Sequence, residues 1–191
     1  MIRTTDMGGA LLERRHGPYP IGLMAIIATV AMLFASFTAA ILVRRTGMDW
    51  VRVSLPAIVW LNTAIIAVSS VVIELGRSAV RKNAQLRAAR LLEATAFLGG
   101  LFLVGQLAAW FALVGQGILL PTNPHASFFY MLSAVHGAHV VGGIGALIWT
   151  MHRTKQGAYT AENQTGLLHA AIYWHIVGIV WIYVLVLLKT L

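Results

Sequence analysis

Charged residues are scarce in this sequence. Only 10% of its 191 residues are Asp, Glu, Lys or Arg, whereas 59% are hydrophobic; a typical soluble domain has about 25% charged residues. A chain with so little charge cannot be surrounded mainly by water. Because a helix needs about 20 apolar residues to cross the hydrocarbon layer of a bilayer, this length allows five or six crossings and leaves no room for a separate soluble domain.

Cysteine is absent altogether. Its absence excludes disulfides, thiolate nucleophiles, iron–sulfur clusters and cysteine-ligated zinc or copper. The sequence also has no phosphate-binding loop, no HExxH motif and no serine nucleophile elbow. Apart from three histidines described below, the sequence therefore offers no residues for catalysis or for a cofactor.

Five long apolar runs bounded by charge are present instead. They predict an all-α, polytopic integral membrane protein with five transmembrane helices in a single domain, 1–191, with spans at about 21–43, 56–76, 91–114, 127–151 and 167–188. Pro56 would occupy the first turn of the second helix, where a missing N–H costs nothing. The charged stretch 77–90 is rich in helix formers and is expected to extend the second and third helices past the membrane surface. The first span is longer than a signal-peptide core, so we interpret it as a retained helix.

The basic residues predict the orientation of these helices. Ten of the fourteen lie in the N-terminal tail, the second loop and the fourth loop, including Arg3, Arg14 and Arg15 in the tail. Since Lys and Arg are retained on the cytoplasmic side, the N-terminus is predicted to be cytoplasmic and the C-terminus outside. The net charge of +8 is then a consequence of topology and of attraction to anionic lipids, and nucleic acid is not an expected partner.

Three histidines lie well inside the predicted spans. His136 and His139 are three residues apart on one face of the fourth helix, and His175 is near the middle of the fifth. One hypothesis is a b-type membrane cytochrome in which His139 and His175 are the two axial ligands of a haem. The alternative is structural: neutral imidazoles that bond each other, a tyrosine or a backbone carbonyl and so connect the helices.

Other polar residues in the spans have simpler interpretations. Glu74 and Glu93 lie at the cytoplasmic ends of the second and third helices, within reach of Arg77 and Arg90, so an interfacial ion pair or a proton-handling role is expected for each. Five uncharged residues are expected to form hydrogen bonds between helices: Asn62, Thr63, Ser69, Ser70 and Gln106. A third group on the fourth helix has four-residue spacing that would let a partner helix approach closely: Ala134, Ala138 and Gly142.

The fourth and fifth helices carry a recognisable pair of motifs. The fourth has an aromatic run at 128–130, then His136-Gly137-Ala138-His139-Val140, then two glycines; the fifth has Tyr173-Trp174-His175 followed by Val180-Trp181-Ile182-Tyr183. This pattern resembles cytochrome c oxidase subunit III, in a short five-helix bacterial form. Supporting segments are Met32-Leu33-Phe34-Ala35, Trp60-Leu61-Asn62-Thr63 and, in the third helix, Gln106 with Trp110.

The resemblance implies a function without an active site on this chain. It implies a non-redox subunit of a haem–copper terminal oxidase in a bacterial inner membrane, which stabilises subunit I and supports proton uptake while the complex reduces oxygen to water. Haems and copper are then expected on the partner subunits I and II, with cytochrome c or quinol as an indirect partner and phospholipid as a candidate ligand of this chain. The motif residues become structural or subunit-contact residues: His136, Gly137, His139, Gly142, Tyr173, Trp174, His175 and Trp181.

The chain also departs from the family pattern. Val30 stands where many members have a glutamate, and Gly178 stands where many have an aspartate. The seven-helix members have two further N-terminal helices that help to form a lipid-filled cleft. A related subunit of a nitric oxide reductase, which belongs to the same superfamily, fits the sequence as well.

Overall fold

The computed structural model describes residues 19–121 and 123–190, with side chains from 21 onward, and its regular structure is entirely helical over those ranges. The helices are α1 (Tyr19–Arg44), α2 (Ile58–Arg81), α3 (Gln85–Gly115), α4 (Pro124–Lys155) and α5 (Thr165–Thr190). All five are long and apolar enough to cross a membrane. The prediction of an all-α protein with five membrane-spanning helices is therefore confirmed.

The helix ends differ slightly from the predicted spans. The prediction that Pro56 lies in the first turn of α2 is wrong by two residues: the helix begins at Ile58, and the Pro56 carbonyl accepts a 3.0 Å hydrogen bond from the Val59 N–H just before it. The charged stretch after the second span is helical, as expected, except for a turn at 82–84 where Asn83 has a φ of 55°. The start of α4 is capped by Asn123, whose side chain accepts a bond from the Ala126 N–H.

Four of the helices form an antiparallel bundle. Around it, α2 packs on α3, α3 on α4, α4 on α5 and α5 on α2, while α1 lies outside and, among the described helices, contacts only α4 and α5.

His125 at the start of α4 donates a 2.9 Å hydrogen bond to the carbonyl of Leu188 at the end of α5. The same imidazole accepts a bond from the Val53 N–H in the α1–α2 loop. His125 was not singled out from the sequence, yet it connects three segments at one end of the bundle.

Small residues allow the helices to approach one another in the core. The Trp174 ring is completely buried, and a Cβ added at Gly99 of α3 would lie 2.6 Å from its Cη2 atom. A Cβ at Gly143 of α4 would lie 3.0 Å from the same ring. Both distances are shorter than van der Waals contact, so the two glycines make room for an indole that fills the space between α3, α4 and α5.

The alternation of helix directions brings the α2–α3 and α4–α5 loops to one end, which we call the basic end. There Gln85 Nε2 donates a 2.6 Å bond to the carbonyl of Tyr159 in the α4–α5 loop. At the opposite end the Arg44 guanidinium forms an ion pair with Asp49 in the α1–α2 loop. The hydrogen bonds that it donates to the Asp49 carboxylate lower the pKa of this group. The cytoplasmic location of the basic end stays a prediction, and Arg3, Arg14 and Arg15, on which it partly rests, lie outside the described residues.

Candidate functional site

A charged cluster joins α2 and α5. Nη1 of Arg77 lies 2.8 Å from both carboxylate oxygens of Glu74, one turn earlier on α2. The same carboxylate accepts a 2.9 Å hydrogen bond from Nε2 of His175 on α5. The ion pair with Arg77 matches the sequence expectation, whereas the bond to His175 was missed. One signal could have indicated it: an ionisable side chain inside a span requires a partner on another helix.

This cluster lies within the membrane-spanning part of the bundle and not at the basic end itself. Glu74 is seven residues before the last residue of α2, or about 10 Å along the axis, and His175 is ten residues into α5, or about 15 Å. The side chains are partly open to the outside of the bundle, with 39% of Glu74 and 33% of His175 exposed. The arrangement can hold a carboxylate and an imidazole in direct contact at a depth where lone charges are costly.

Glu93 has a different environment. Its side chain is exposed, and within the described part of the chain no basic group forms an ion pair with it. The structure therefore brings together Glu74, Arg77 and His175 but does not bring Arg90 to Glu93.

His136 is enclosed by aromatic rings. It is 1% exposed, and its ring stacks on Trp181 of α5 at a centroid distance of 5.0 Å. The ring of Phe102 from α3 lies 5.6 Å away in a T-shaped arrangement with it. Neither ring nitrogen has a hydrogen-bond partner among the described residues. His136 thus contacts α3 and α5 through its ring, within the centre of the bundle.

His139 faces the outer helix instead. Its Nδ1 donates a 2.8 Å hydrogen bond to the Val135 carbonyl of the preceding turn, and its ring lies 6.0 Å from that of Phe34 in α1. Tyr173 of α5 donates a 3.2 Å bond from its hydroxyl to the His139 carbonyl. These contacts join α1, α4 and α5 at one level.

The two histidines of the haem hypothesis do not lie together. His139 contacts α1, whereas His175 bonds to Glu74 of α2, and α1 packs on α4 and α5 but not on α2. The imidazoles therefore point to different sides of the bundle, so the geometry gives no support to a haem held between them.

Hydrogen bonds between helices follow the expectation for three of the five polar residues. Trp174 donates to the Ser69 hydroxyl at 2.9 Å, and Trp181 donates to the Thr63 hydroxyl at 3.2 Å. Asn62 donates to the Phe102 carbonyl at 3.3 Å. No interhelical hydrogen bond is described for Ser70. Gln106 is the clear exception, because both polar atoms of its buried amide have no partner among the described residues.

The remaining motif positions have ordinary surroundings. A Cβ at Gly137 would lie 3.7 Å from Leu103, and one at Gly142 would lie 3.8 Å from the Tyr173 hydroxyl. Gly178, at the position of the family aspartate, faces Ser70 of α2 at 3.6 Å by the same measure. Val30, at the position of the family glutamate, is only 4% exposed and so is buried within this chain.

A groove lies between the N-terminal part of α1 and the helices α4 and α5. One part has a volume of about 520 Å³ and is lined by apolar side chains including Leu23, Ile26 and Ala146. A second part, about 470 Å³, shares Trp149, Tyr159, Gly166 and His169 with the first and ends at the cation Arg153. The groove is thus apolar between the helices and positively charged where it reaches the basic end.

Comparison with known proteins decides the family. The model of the family described as cytochrome c oxidase subunit III matches residues 18–190, which include all five helices. The chain belongs to the cytochrome c oxidase subunit III family. The resemblance stated from the motifs on α4 and α5 is confirmed, and the chain is accordingly a multi-pass membrane component of an oxidase complex.

Individual relatives agree with this assignment. The chain is similar to a cytochrome c oxidase subunit 3 of Thermostichus vulcanus, with 34% identity over 90% of this chain and 86% of that protein. It is also similar to a cytochrome c oxidase subunit 3 of Synechocystis sp., with 32% identity over 88% of this chain and 73% of the relative. A probable cytochrome c oxidase subunit 3 of Nocardia farcinica is 27% identical over 92% of this chain and 91% of its own length.

Proposed function

We propose that this chain is the non-redox subunit of a bacterial haem–copper oxidase, that it stabilises subunit I and that it supports proton uptake by the complex. The observation that carries the proposal is the family match across all five helices. In this role the chain lies in the bacterial inner membrane with its N-terminus in the cytoplasm, next to subunits I and II. Cytochrome c or quinol delivers electrons to those partners and not to this chain.

The environments of the histidines support a structural role for them. His139 bonds to its own helix and contacts Phe34, while His175 bonds to Glu74. His136 packs between two aromatic rings. Each ring therefore has contacts with a neighbouring helix, and these contacts support a structural role.

The Glu74 cluster is the part of the chain best suited to support proton uptake. A carboxylate and an imidazole in contact can exchange a proton, and both are partly exposed at the outer face of the bundle. Arg77 forms an ion pair with Glu74, so the cluster holds its carboxylate within the span without an unpaired charge.

Phospholipid is the proposed ligand of the groove beside α1. Acyl chains suit the apolar walls formed by residues such as Leu23, Ile26 and Ala146, and Arg153 at the basic end is complementary to an anionic headgroup. Bound lipid would then fill the space between the N-terminal part of α1 and the bundle.

The test is to compare the intact oxidase with the same complex after this subunit has been removed. We expect the haem content per complex to be unchanged, while proton uptake slows and the complex inactivates after fewer turnovers. Loss of haem together with the subunit would contradict the non-redox role. An unchanged rate of proton uptake and an unchanged number of turnovers before inactivation would contradict the supporting role.

A further inference from the structure

The carboxylate of Glu74 is directed into the membrane. In an α-helix each side chain tilts toward the N-terminus of its own helix. Because α2 ends at the basic end, the Glu74 side chain points away from that end. His175 lies on α5, which begins at the basic end, so its imidazole tilts toward Glu74. The two groups meet at 2.9 Å, at a level between about 10 Å and about 15 Å from the basic end.

Glu93 directs its charge the other way, although its backbone lies at a similar level. It is eight residues after the start of α3 at Gln85, or about 12 Å from the basic end. Because α3 begins at the basic end, the exposed Glu93 side chain tilts back toward the membrane surface, where it can approach water. Of these two acids, therefore, Glu74 is the one that holds its charge at the depth of the lipid hydrocarbon.

The outward-facing part of the Glu74–His175 pair can only accept hydrogen bonds. An ion-paired carboxylate has no proton to donate, and Arg77 supplies the ion pair. Since Nε2 of His175 donates to Glu74, Nδ1 carries a lone pair, and it forms no hydrogen bond within the part of the chain that the structure describes. Val71 and Ile179, each one helical turn from the pair, are exposed and apolar. The surface here is thus a patch of acceptors surrounded by apolar side chains.

Lipid alone leaves this patch unsatisfied. At this depth lipid presents hydrocarbon, which can neither donate nor accept a hydrogen bond, and charged side chains of membrane helices almost always face protein or a water-filled cavity. A partner helix can bring a donor to this level, such as a Ser or Thr hydroxyl, a Trp N–H or a side-chain amide. A second copy of this chain fits less well, because a two-fold interface would place the same acceptors opposite each other.

We propose that the α2–α5 face around Glu74 and His175 is the docking surface for a transmembrane helix of the catalytic oxidase subunit, and that this helix donates a hydrogen bond to the pair. The inference rests on the proposed function, because it takes its partner from the oxidase complex. It adds the face of the chain that the partner covers and the chemistry by which the partner is recognised.

Cross-linking in the intact complex locates the covered face. Because the chain has no cysteine, Ile179→Cys and Phe97→Cys each provide a single position for a thiol-attached photoreactive group. Both residues are apolar and similarly exposed, at 63% and 70%, but Phe97 is on α3, which does not pack on α5 among the described helices. We expect Ile179→Cys to cross-link to the haem-bearing large subunit and Phe97→Cys not to do so.

A matched pair of glutamates tests the recognition itself. Glu74→Gln replaces the charged acceptor by a neutral amide, and the control Glu93→Gln makes the same change on α3. Assembly is the haem-bearing large subunit recovered per folded, tagged chain at graded detergent concentrations, identified by mass spectrometry. We expect the association constant to fall roughly 3- to 30-fold for Glu74→Gln, as the loss of one interhelical hydrogen bond in a membrane implies, and to stay unchanged for Glu93→Gln. A role in the stability of this chain alone would not lower the association constant of molecules that have folded.

The outcomes separate this inference from the proposed function. If the wild-type chain recovers no haem-bearing subunit, the proposed function fails. If the wild type recovers it but Ile179→Cys forms no cross-link with it, the patch faces lipid or water and the docking surface is wrong. A cross-linked dimer of this chain in place of that product, or equal recovery of the large subunit by Glu74→Gln and Glu93→Gln, would also overturn the proposal.

Discussion

Trp174 shows how single residues determine the packing of this bundle. Its ring lies against Gly99 and Gly143, and its indole N–H donates to Ser69 of α2. One side chain therefore contacts all three of the other bundle helices. A buried indole needs both a large space and an acceptor for its N–H, and this site supplies the two together.

Gly99→Ala should consequently destabilise the chain. A Cβ at this position would lie 2.6 Å from Trp174 and 3.1 Å from Ile144, and overpacking of this kind costs about 1–3 kcal/mol. The control is Gly100→Ala, because a Cβ there meets nothing within 4 Å and alanine favours helix by up to about 1 kcal/mol. Denaturation of the two variants in detergent measures the difference, and equal stabilities would contradict the packing described here.

Glu74 and Glu93 form a second matched pair of residues. Glu74→Gln removes the charge that Arg77 and His175 contact, so we expect a loss of about 1–2 kcal/mol, less than for a fully buried charged hydrogen bond because the site is partly exposed. Glu93→Gln should change stability by less than about 0.5 kcal/mol. Unfolding measured for both variants in the same detergent checks this, and a larger effect at Glu93 would be inconsistent with the structure.

Some residue contacts could be predicted from the sequence and others could not. The Glu74–Arg77 pair was predictable because one turn of helix separates the two residues. The bond from His175 to Glu74 depends on which helices are neighbours and on how far each is shifted along its axis, and spacing within a single helix contains neither. Gln106 was expected to bond across helices for the same chemical reason as Asn62, but only the packing shows that one amide has a partner and the other has none.

At the scale of helices, α1 differs from the other four. It packs on the outside of the bundle against α4 and α5, and few of its side chains are buried: Val30, Phe34 and Ile41. Thr38 also shares a 2.7 Å hydrogen bond with Tyr183 of α5. The sequence predicted α1 as a span because it is apolar, but a helix that is apolar all round does not reveal which face contacts protein and which contacts lipid.

The attachment of α1 should depend on Phe34. This ring is 3% exposed and contacts His139, so Phe34→Ala should cost about 2–3 kcal/mol, below the usual range for buried aromatic residues because lipid rather than water surrounds the separated helix. Met32 is 70% exposed, and Met32→Ala should have little effect. Protease cleavage of the α1–α2 loop should accelerate in the first variant only; acceleration in both would indicate that α1 is held by other contacts.

At the scale of the whole molecule, the orientation in the membrane is open to direct measurement. The absence of cysteine makes single-cysteine labelling possible without other changes. Met48 in the α1–α2 loop and Gln156 at the basic end are both exposed. Because the basic end is predicted to be cytoplasmic, an impermeant maleimide should label Met48→Cys in intact cells and Gln156→Cys only after permeabilisation. The reverse pattern would invert the topology.

The proposed function requires this chain to assemble with a haem–copper catalytic subunit and to carry no haem itself. The most direct measurement is purification of the tagged chain in mild detergent, with an optical spectrum and mass spectrometry of the proteins that accompany it. We expect haem a or haem o absorbance from a large co-purifying subunit, and no haem absorbance once this chain is isolated. Haem b that remains on the isolated chain would contradict it, and a co-purifying nitric oxide reductase would place the chain in a different complex.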